Sequence, residues 1–526
     1  MNTRHLSAPD PVLVVGKRID DIYSLDPAVA AEFTAGEIIH NLYDRLFSPP
    51  REGSAERIGV AEHWRASDDL RSLTVTLRAG VRFQSGRPLG ADDVVHSLTR
   101  AVMLGREPGV PFRTLGWHPD NVGEMVTATG PLTVVLRFPA PVSFDLARGC
   151  LSSRGASIVD RVEIASHARD GDWGSGWLAS HSAGSGPFAL IHCRPGDEVE
   201  LARHDGYWHR PAGIRGVRYR HLPDPQTQLE HLSSGEIDVA RDLTTSQLAT
   251  LEHDEACTLV RSQKRTLFYL ALNQQVEPYT HPLVRAALRR LIDHHGIEQE
   301  ILAGRFERNH AMWADDHPSR FPADRFRLDV EDAKHMLAEA GYPEGFVVFL
   351  NIIDAPDYIR IGESLMRTFA QARITVRLTI ASQSAESRLY QQRRHDAILI
   401  RWAPDFDDPH AAAMFFALNP DNGDDSAYRT AAWRCRWVDA GLNRAVLDAA
   451  RQSDEQERIA AYRRIDEALA ADGPFIFLFR QIDCAAVSTR FDGLTLGPLD
   501  DTASYAAVKA HPGVPAIAPE TAGPDC

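Results

Sequence analysis

Phe346-Val-Val-Phe-Leu350, the helical pattern that follows it and Ile374-Thr-Val-Arg-Leu378 decide the fold class of this chain. The first run is apolar throughout, as in a strand covered on both faces. Ile361, Leu365 and Phe369 then recur at the spacing of one helix face, and the second run returns to strand composition. A strand, a crossover helix and another strand of this length pair in parallel. Just upstream, Asp329 is placed to cap a helix through Ala340, with Ala333, Met336, Leu337 and Ala340 as its apolar stripe and Gly341 and Pro343 as stop signals.

The same mixture extends in both directions. Leu73, Val75 and Leu77 alternate with polar neighbours, the pattern of a half-buried strand, and Val134-Val-Leu-Arg-Phe138 and Gly216-Val-Arg-Tyr-Arg-His-Leu222 read similarly. Ser453-Asp-Glu-Gln456 has capping-box form before a helix carrying Ile459, Tyr462, Ile465 and Leu469, which stops at Gly473-Pro474 and feeds the buried strand Phe475-Ile-Phe-Leu-Phe479. The fold class is therefore α/β, not a helical bundle or a sandwich. Loop signals concentrate between Gly171 and Gly186, a candidate domain crossing, and the Pro-, Ala- and Gly-rich end from Ala510 to Cys526 reads as a disordered tail.

The chain has 526 residues, 44% of them hydrophobic, with 57 Lys+Arg against 72 Asp+Glu and a net charge of −15, which fits a large globular protein with more than one core. That acidic balance argues against a nucleic-acid partner. No run reaches the length of a membrane-spanning helix, and Met1–Asp10 lacks the ordered regions of a secretory signal, so either a signal has been removed or the protein stays inside. Cys150, Cys193, Cys257, Cys435, Cys484 and Cys526 are scattered without metal-ligand spacing and read as unpaired structural thiols. Gly174-Ser-Gly-Trp-Leu-Ala179 matches a loose dinucleotide string but follows no strand, and neither a P-loop nor an H-E-x-x-H motif occurs. The nearest histidine groups, His294-His295 and His204 with His209, read as satisfied or solvated side chains. No enzyme chemistry, metal centre or cofactor is expected.

Several blocks recur in one order along nearly the whole chain: Ser24-Leu-Asp-Pro27, Ile38-Ile-His-Asn-Leu-Tyr-Asp-Arg-Leu46, Ala61-Glu-His-Trp64, Leu77-Arg-Ala-Gly-Val-Arg-Phe-Gln-Ser-Gly-Arg-Pro-Leu89 and Ala91-Asp-Asp-Val94. Gly184-Ser-Gly-Pro-Phe188, Tyr207-Trp208, Leu232-Ser-Ser-Gly-Glu-Ile-Asp238, Leu272-Asn273 and Pro282-Leu-Val-Arg-Ala-Ala-Leu288 follow. Together they resemble the extracytoplasmic solute-binding proteins of ABC importers, in the peptide, dipeptide and nickel-binding cluster known as family 5. The resemblance implies a two-lobed, periplasmic-binding-protein-like (Venus flytrap) α/β fold of the large class. Its layout would give lobe I as residues 12–47, 182–266 and 485–510, an attached subdomain as 48–181, lobe II as 267–484 and a tail as 511–526. Strands near 267 and 485 would form the hinge. The implied protein is a non-catalytic monomer that captures a peptide or amine-bearing solute and passes it to an ABC permease complex, outside the cytoplasm; a cytoplasmic sensor reusing the fold is the alternative, and a peptide hydrolase a further one.

In peptide-binding relatives a Trp followed three residues later by Asp supplies a hydrophobic wall and the carboxylate for the ligand's α-ammonium. In Arg401-Trp-Ala-Pro-Asp-Phe-Asp-Asp-Pro409 these are Trp402 and Asp405, while Asp407 and Asp408 read better as turn residues. The arginine that dipeptide-binding relatives place in the loop after the strand at 346–351 is missing here, since the loop reads Asn351-Ile-Ile-Asp-Ala-Pro-Asp357. Arg360 is the substitute if it sits at its helix start and a surface residue otherwise. Asp354, with Asp357, would instead make the pocket acidic and favour cationic ligands. Ser185 and Gly186 present backbone either to a peptide, as an added strand would, or to a structural turn. Tyr269, near the implied hinge, is a further candidate.

Overall fold

A computed structural model describes residues 11–49, 58–313, 327–426 and 428–512. They divide into two compact units: unit 1 comprises Met1–Ala140, Ala147–Ser262 and Asp483–Cys526, and unit 2 comprises Pro141–Leu146 and Gln263–Ile482. Of the expected tail, residues 513–526 lie outside the described residues.

Unit 1 is built chiefly on two sheets, besides a short two-stranded pairing of Phe491–Asp492 with Lys509–Ala510. β1 (Val12–Lys17) carries apolar residues on both faces and is buried along nearly its whole length. α1 (Phe33–Leu42) packs Ile38, Ile39 and Leu42 into the core that holds Leu13 and Val15 of that strand. β2 (Ala61–Ala66), β3 (Ser72–Leu77), β4 (Val126–Gly130) and β5 (Thr133–Arg137) make a four-stranded antiparallel sheet in the order β2-β3-β5-β4. Leu73, Val75 and Leu77 of β3 are buried, as their alternation predicts. In the other sheet, β6 (Phe188–Arg194), β7 (Glu198–Arg203) and β8 (Gly216–His221) form an antiparallel meander, and β8 pairs in parallel with β1, whose other neighbour is β9 (Val239–Ala240), also parallel.

Acids of the quoted sequence blocks in this half are held by arginines. Arg100 of α2 (Ala91–Leu104) donates from Nη1 to Asp26 Oδ1 at 2.8 Å and from Nε to the Trp173 carbonyl at 2.8 Å, and Ser175 Oγ donates to Asp26 Oδ2 at 2.7 Å. Both charged side chains are fully buried. Arg87 binds Asp160 through Nε at 2.8 Å and also pairs with Asp93, so the stretch 77–89 is tied to the starts of two helices.

β10 (Cys257–Leu272) carries the chain from unit 1 into unit 2. There β11 (Phe306–Arg308), α3 (Val330–Glu339), β12 (Val347–Ile353), α4 (Pro356–Ala370), β13 (Thr375–Ala381), α5 (Gln383–Gln391), β14 (Ala397–Trp402), α6 (Pro409–Ala417) and α7 (Glu455–Asp472) follow. β15 (Phe475–Ser488) leads back to unit 1, and the boundary positions 267 and 485 expected from the family layout fall inside β10 and β15. The strand order is β13-β12-β14-β10, with β12 parallel to both its neighbours and β10 antiparallel to β14. The deciding β-α-β crossover is thus β12-α4-β13, and Ile361, Leu365 and Phe369 are buried in one core with Val348, Leu350 and Ile352.

Two local readings need correction. β12 is not covered on both faces along its length: Val347 and Phe349 are 41% and 47% exposed, because the layer on that side begins only where α5 crosses the second half of the strand. Asp454, not Ser453, caps α7, accepting the Glu457 amide at 2.9 Å, so the capping position is one residue later than expected. Cys150, Cys193, Cys257, Cys435 and Cys484 are free thiols, and no described helix is long and apolar enough to cross a membrane.

Candidate functional site

The carboxyl edge of the parallel strands in unit 2 is where a site is to be sought. α4 leaves the end of β12 and packs on the core side of the sheet, with Leu350, Leu399 and Leu270. α6 leaves the end of the neighbouring strand β14 and places Phe416 against Tyr269, whose side chain lies on the other face of β10 from Phe268 and Leu270. Connections that diverge to opposite faces from adjacent strands define a switch point, the standard position for ligands in open α/β sheets.

Trp402, the last residue of β14, stacks on Phe415 with ring centroids 5.1 Å apart and an interplanar angle of 13°, and meets Phe416 edge-on at 5.1 Å. Its indole is half-buried. The three acids that follow have different surroundings. Asp407 accepts from Arg265 Nε at 3.0 Å, and Asp408 caps α6 through the His410 amide at 2.8 Å while pairing with buried Arg458. Asp405, between the buried Pro404 and Phe406, is exposed. Arg434, which no sequence pattern singled out, lies 5.1 Å from the Tyr390 ring and 5.4 Å from Phe415, putting a guanidinium beside the aromatic group that backs Trp402.

The other positions expected to bind ligand are distributed more widely. Asp354 is exposed just beyond β12, its amide donating to the Ala381 carbonyl at 2.8 Å, whereas Asp357 is drawn to Arg305 at 3.4 Å. Arg360 is not at the start of its helix: α4 begins at Pro356, and the exposed Arg360 donates from Nη2 to the Glu300 carbonyl at 3.0 Å. Tyr269 is buried, its hydroxyl donating to Tyr390 at 3.4 Å and its ring edge-on to Phe416 at 5.0 Å, so it lies within the core behind Trp402. Burial holds its phenol well above the ordinary range.

Ser185 and Gly186 belong to unit 1. Ser185 Oγ donates to Asp44 at 2.9 Å, the Gly186 amide donates to the Leu42 carbonyl at 3.0 Å, and the Gly186 carbonyl faces His204 Nδ1 at 3.0 Å. Those polar groups are used inside the unit, as in the structural-turn alternative. A Cβ on Gly184 would stand 2.0 Å from the Leu42 carbonyl oxygen. Gly184→Ala is therefore expected to destabilise unit 1 by about 1–3 kcal/mol, read as a lower urea midpoint.

Asp44 joins the same turn to Tyr207-Trp208, accepting from Tyr207 Oη at 3.1 Å and Trp208 Nε1 at 3.0 Å. Burial raises its carboxyl to about 6, against the lowering effect of the Trp208, Ser185 and Tyr207 donors. Folding then takes up a proton at this group between the ordinary carboxylate range and about pH 6, so its contribution to stability is present at acid pH and lost as pH rises through about 6. Asp44→Asn should flatten the fall in unfolding free energy between about pH 4 and pH 7, by up to about 3 kcal/mol relative to wild type. Equal pH profiles for the two proteins would contradict this.

Two groups emerge only in three dimensions. His192, Glu198 and Glu200 on the β6–β7 hairpin bring three possible metal-ligand atoms within 4.8 Å, but Arg218 pairs with both carboxylates and Arg194 with Glu198, so the charge a cation would need is already neutralised. In unit 2, Asn351 Nδ2 of β12 donates to Glu386 Oε1 of α5 at 3.5 Å, and both side chains are buried. Their spacing in sequence gives no signal, because a strand residue and a helix residue on another element make the pair.

Residues 57–424 match the family model of the bacterial extracellular solute-binding proteins, family 5 (middle). The chain belongs to this family, and it is a solute-binding receptor, not an enzyme. It is 24% identical over 506 residues to the probable D,D-dipeptide-binding periplasmic protein DdpA of Escherichia coli K12, covering 94% of this chain and 93% of that protein. The glutathione-binding protein GsiB of Salmonella typhimurium LT2 is 24% identical over 508 residues, covering 94% and 93%. A crystal structure of a dipeptide-binding protein from Pseudoalteromonas sp. SM9913 in complex with Met-Leu superposes with a TM-score of 0.78 at 21% identity, covering 95% of this chain and all of that one. The fold is accordingly the two-lobed α/β fold of periplasmic binding proteins.

Proposed function

We propose that the solute is a peptide or a small amine-bearing molecule, which the receptor delivers to an ABC permease from the extracytoplasmic side of the membrane. One observation carries this reading: the exposed Asp405 stands three residues after Trp402, whose half-buried indole stacks on Phe415 to form an aromatic wall. A carboxylate next to an indole suits an ammonium group, through a charge-assisted hydrogen bond and the ring face. The dipeptide and glutathione binders among the relatives support an amine-bearing cargo. Closure of two lobes about β10 and β15 would convert differential affinity into a shape the permease reads. Unit 1 then corresponds to lobe I with its subdomain and unit 2 to lobe II, in a monomeric receptor without cofactor.

Native mass spectrometry of protein purified from its own host tests this reading. A non-covalent adduct that is released on unfolding and carries a primary amine is expected. Retention only of a cargo lacking any amine would contradict it.

A further inference from the structure

Glu386 stands apart from every other buried acid described above. Asp26, Asp93, Asp160 and Asp408 each face an arginine, and Asp44 receives three donors. Glu386 is 2% exposed, yet among the described residues its carboxylate has one hydrogen bond, the 3.5 Å contact from the neutral Asn351 amide, and Oε2 has no partner. Burying a carboxylate without a cation or a full set of donors is costly, and burial raises this carboxyl against the Asn351 hydrogen bond.

Its position ties the anomaly to the candidate site. Asn351 is opposite Ile398 in the β12–β14 register, and alternation along the two strands puts Asn351, Ile398, Ile400 and Trp402 on one face of the sheet. Glu386 lies one turn into α5, whose N-cap, Ser382, directly follows β13 at the same carboxyl edge that carries Asp354 and Asp405. One sheet face of unit 2 therefore holds an aromatic wall followed by an exposed acid and, two strands' ends away, a buried acid that no cation faces among the described residues.

We infer that Glu386, backed by Asn351, is a second cation-binding group of the receptor, which takes the side-chain ammonium or guanidinium of a ligand whose α-amine is held at Asp405. This rests on the amine reading of the site and narrows it to basic cargo, such as short peptides containing lysine or arginine. A ligand cation would supply the missing donors to Oε2 and remove the cost of the buried charge. A neutral side chain of equal length would leave that cost in place, so selectivity arises from the unmet acid as much as from the new bond.

Calorimetry on the full chain with Ala-Lys-Ala and with the same peptide carrying norleucine for lysine gives the test. The wild type is expected to prefer the lysine peptide by about 10- to 100-fold, and the isosteric Glu386→Gln to abolish that preference while binding the norleucine peptide as the wild type does. No preference in the wild type, or a preference unchanged in a folded Glu386→Gln protein, overturns the inference. The N-acetylated lysine peptide separates the two readings: if it binds as tightly as the free amine, the Asp405 reading fails, whatever happens at Glu386.

Discussion

Asp405→Asn should weaken binding of an amine-bearing solute by roughly 30-fold or more, with little change in the stability of the empty protein. The asymmetry follows from the surroundings of the three acids. Asp408 is an N-cap and the partner of a buried arginine, so its replacement would strike the fold, and Asp407 is held by Arg265. Asp405 is exposed, and the turn holding it runs from the half-buried end of β14 to Pro409 at the start of α6. The mutation removes charge where the ligand brings its own, at an exposed position outside any helix or strand. Titration of the variant against wild type with one free-amine peptide checks this, and equal affinities would remove Asp405 from the site.

The second large effect is on stability. Asp26→Ala should cost unit 1 about 3–5 kcal/mol, because it strands the Arg100 guanidinium in the interior. Arg100 is 1% exposed, and Asp26 takes both of its terminal nitrogens as well as the Ser175 hydroxyl. The double variant Asp26→Ala/Arg100→Met should recover part of the loss by removing the orphaned charge with a side chain of similar reach. Urea unfolding followed by far-UV circular dichroism reads both. A double variant as unstable as the sum of its singles would show that the ion pair is not the cause.

That pair also shows what the sequence could and could not disclose. Ser24-Leu-Asp-Pro27 and Ala91-Asp-Asp-Val94 are visible as family blocks, but the reason for the first, an acid waiting for an arginine 74 positions on, appears only in the folded chain. Periodicity was sufficient for β12, α4 and β13, since each buries a face whose spacing is set by its own geometry. It was not sufficient for the cover of Val347 and Phe349, because a neighbour decides whether an apolar side chain is covered. The same limit holds at the site. The pairing of Trp402 with Asp405 proposed as the site is visible in sequence because the two lie three residues apart, whereas Ser185 finds its use in Asp44, Tyr269 in Tyr390 and Phe416, and Glu386 in Asn351. Contacts between distant elements leave no spacing to read.

Recognition of the cargo by its cationic amine is the proposal on which the other binding expectations rest. Calorimetry with one short peptide offered as the free amine and as its N-acetyl derivative tests it most directly, because acetylation removes the charge and keeps the rest of the ligand. Binding of the free peptide and a loss of roughly 30-fold or more on acetylation are expected. Equal affinity for the two forms would contradict it.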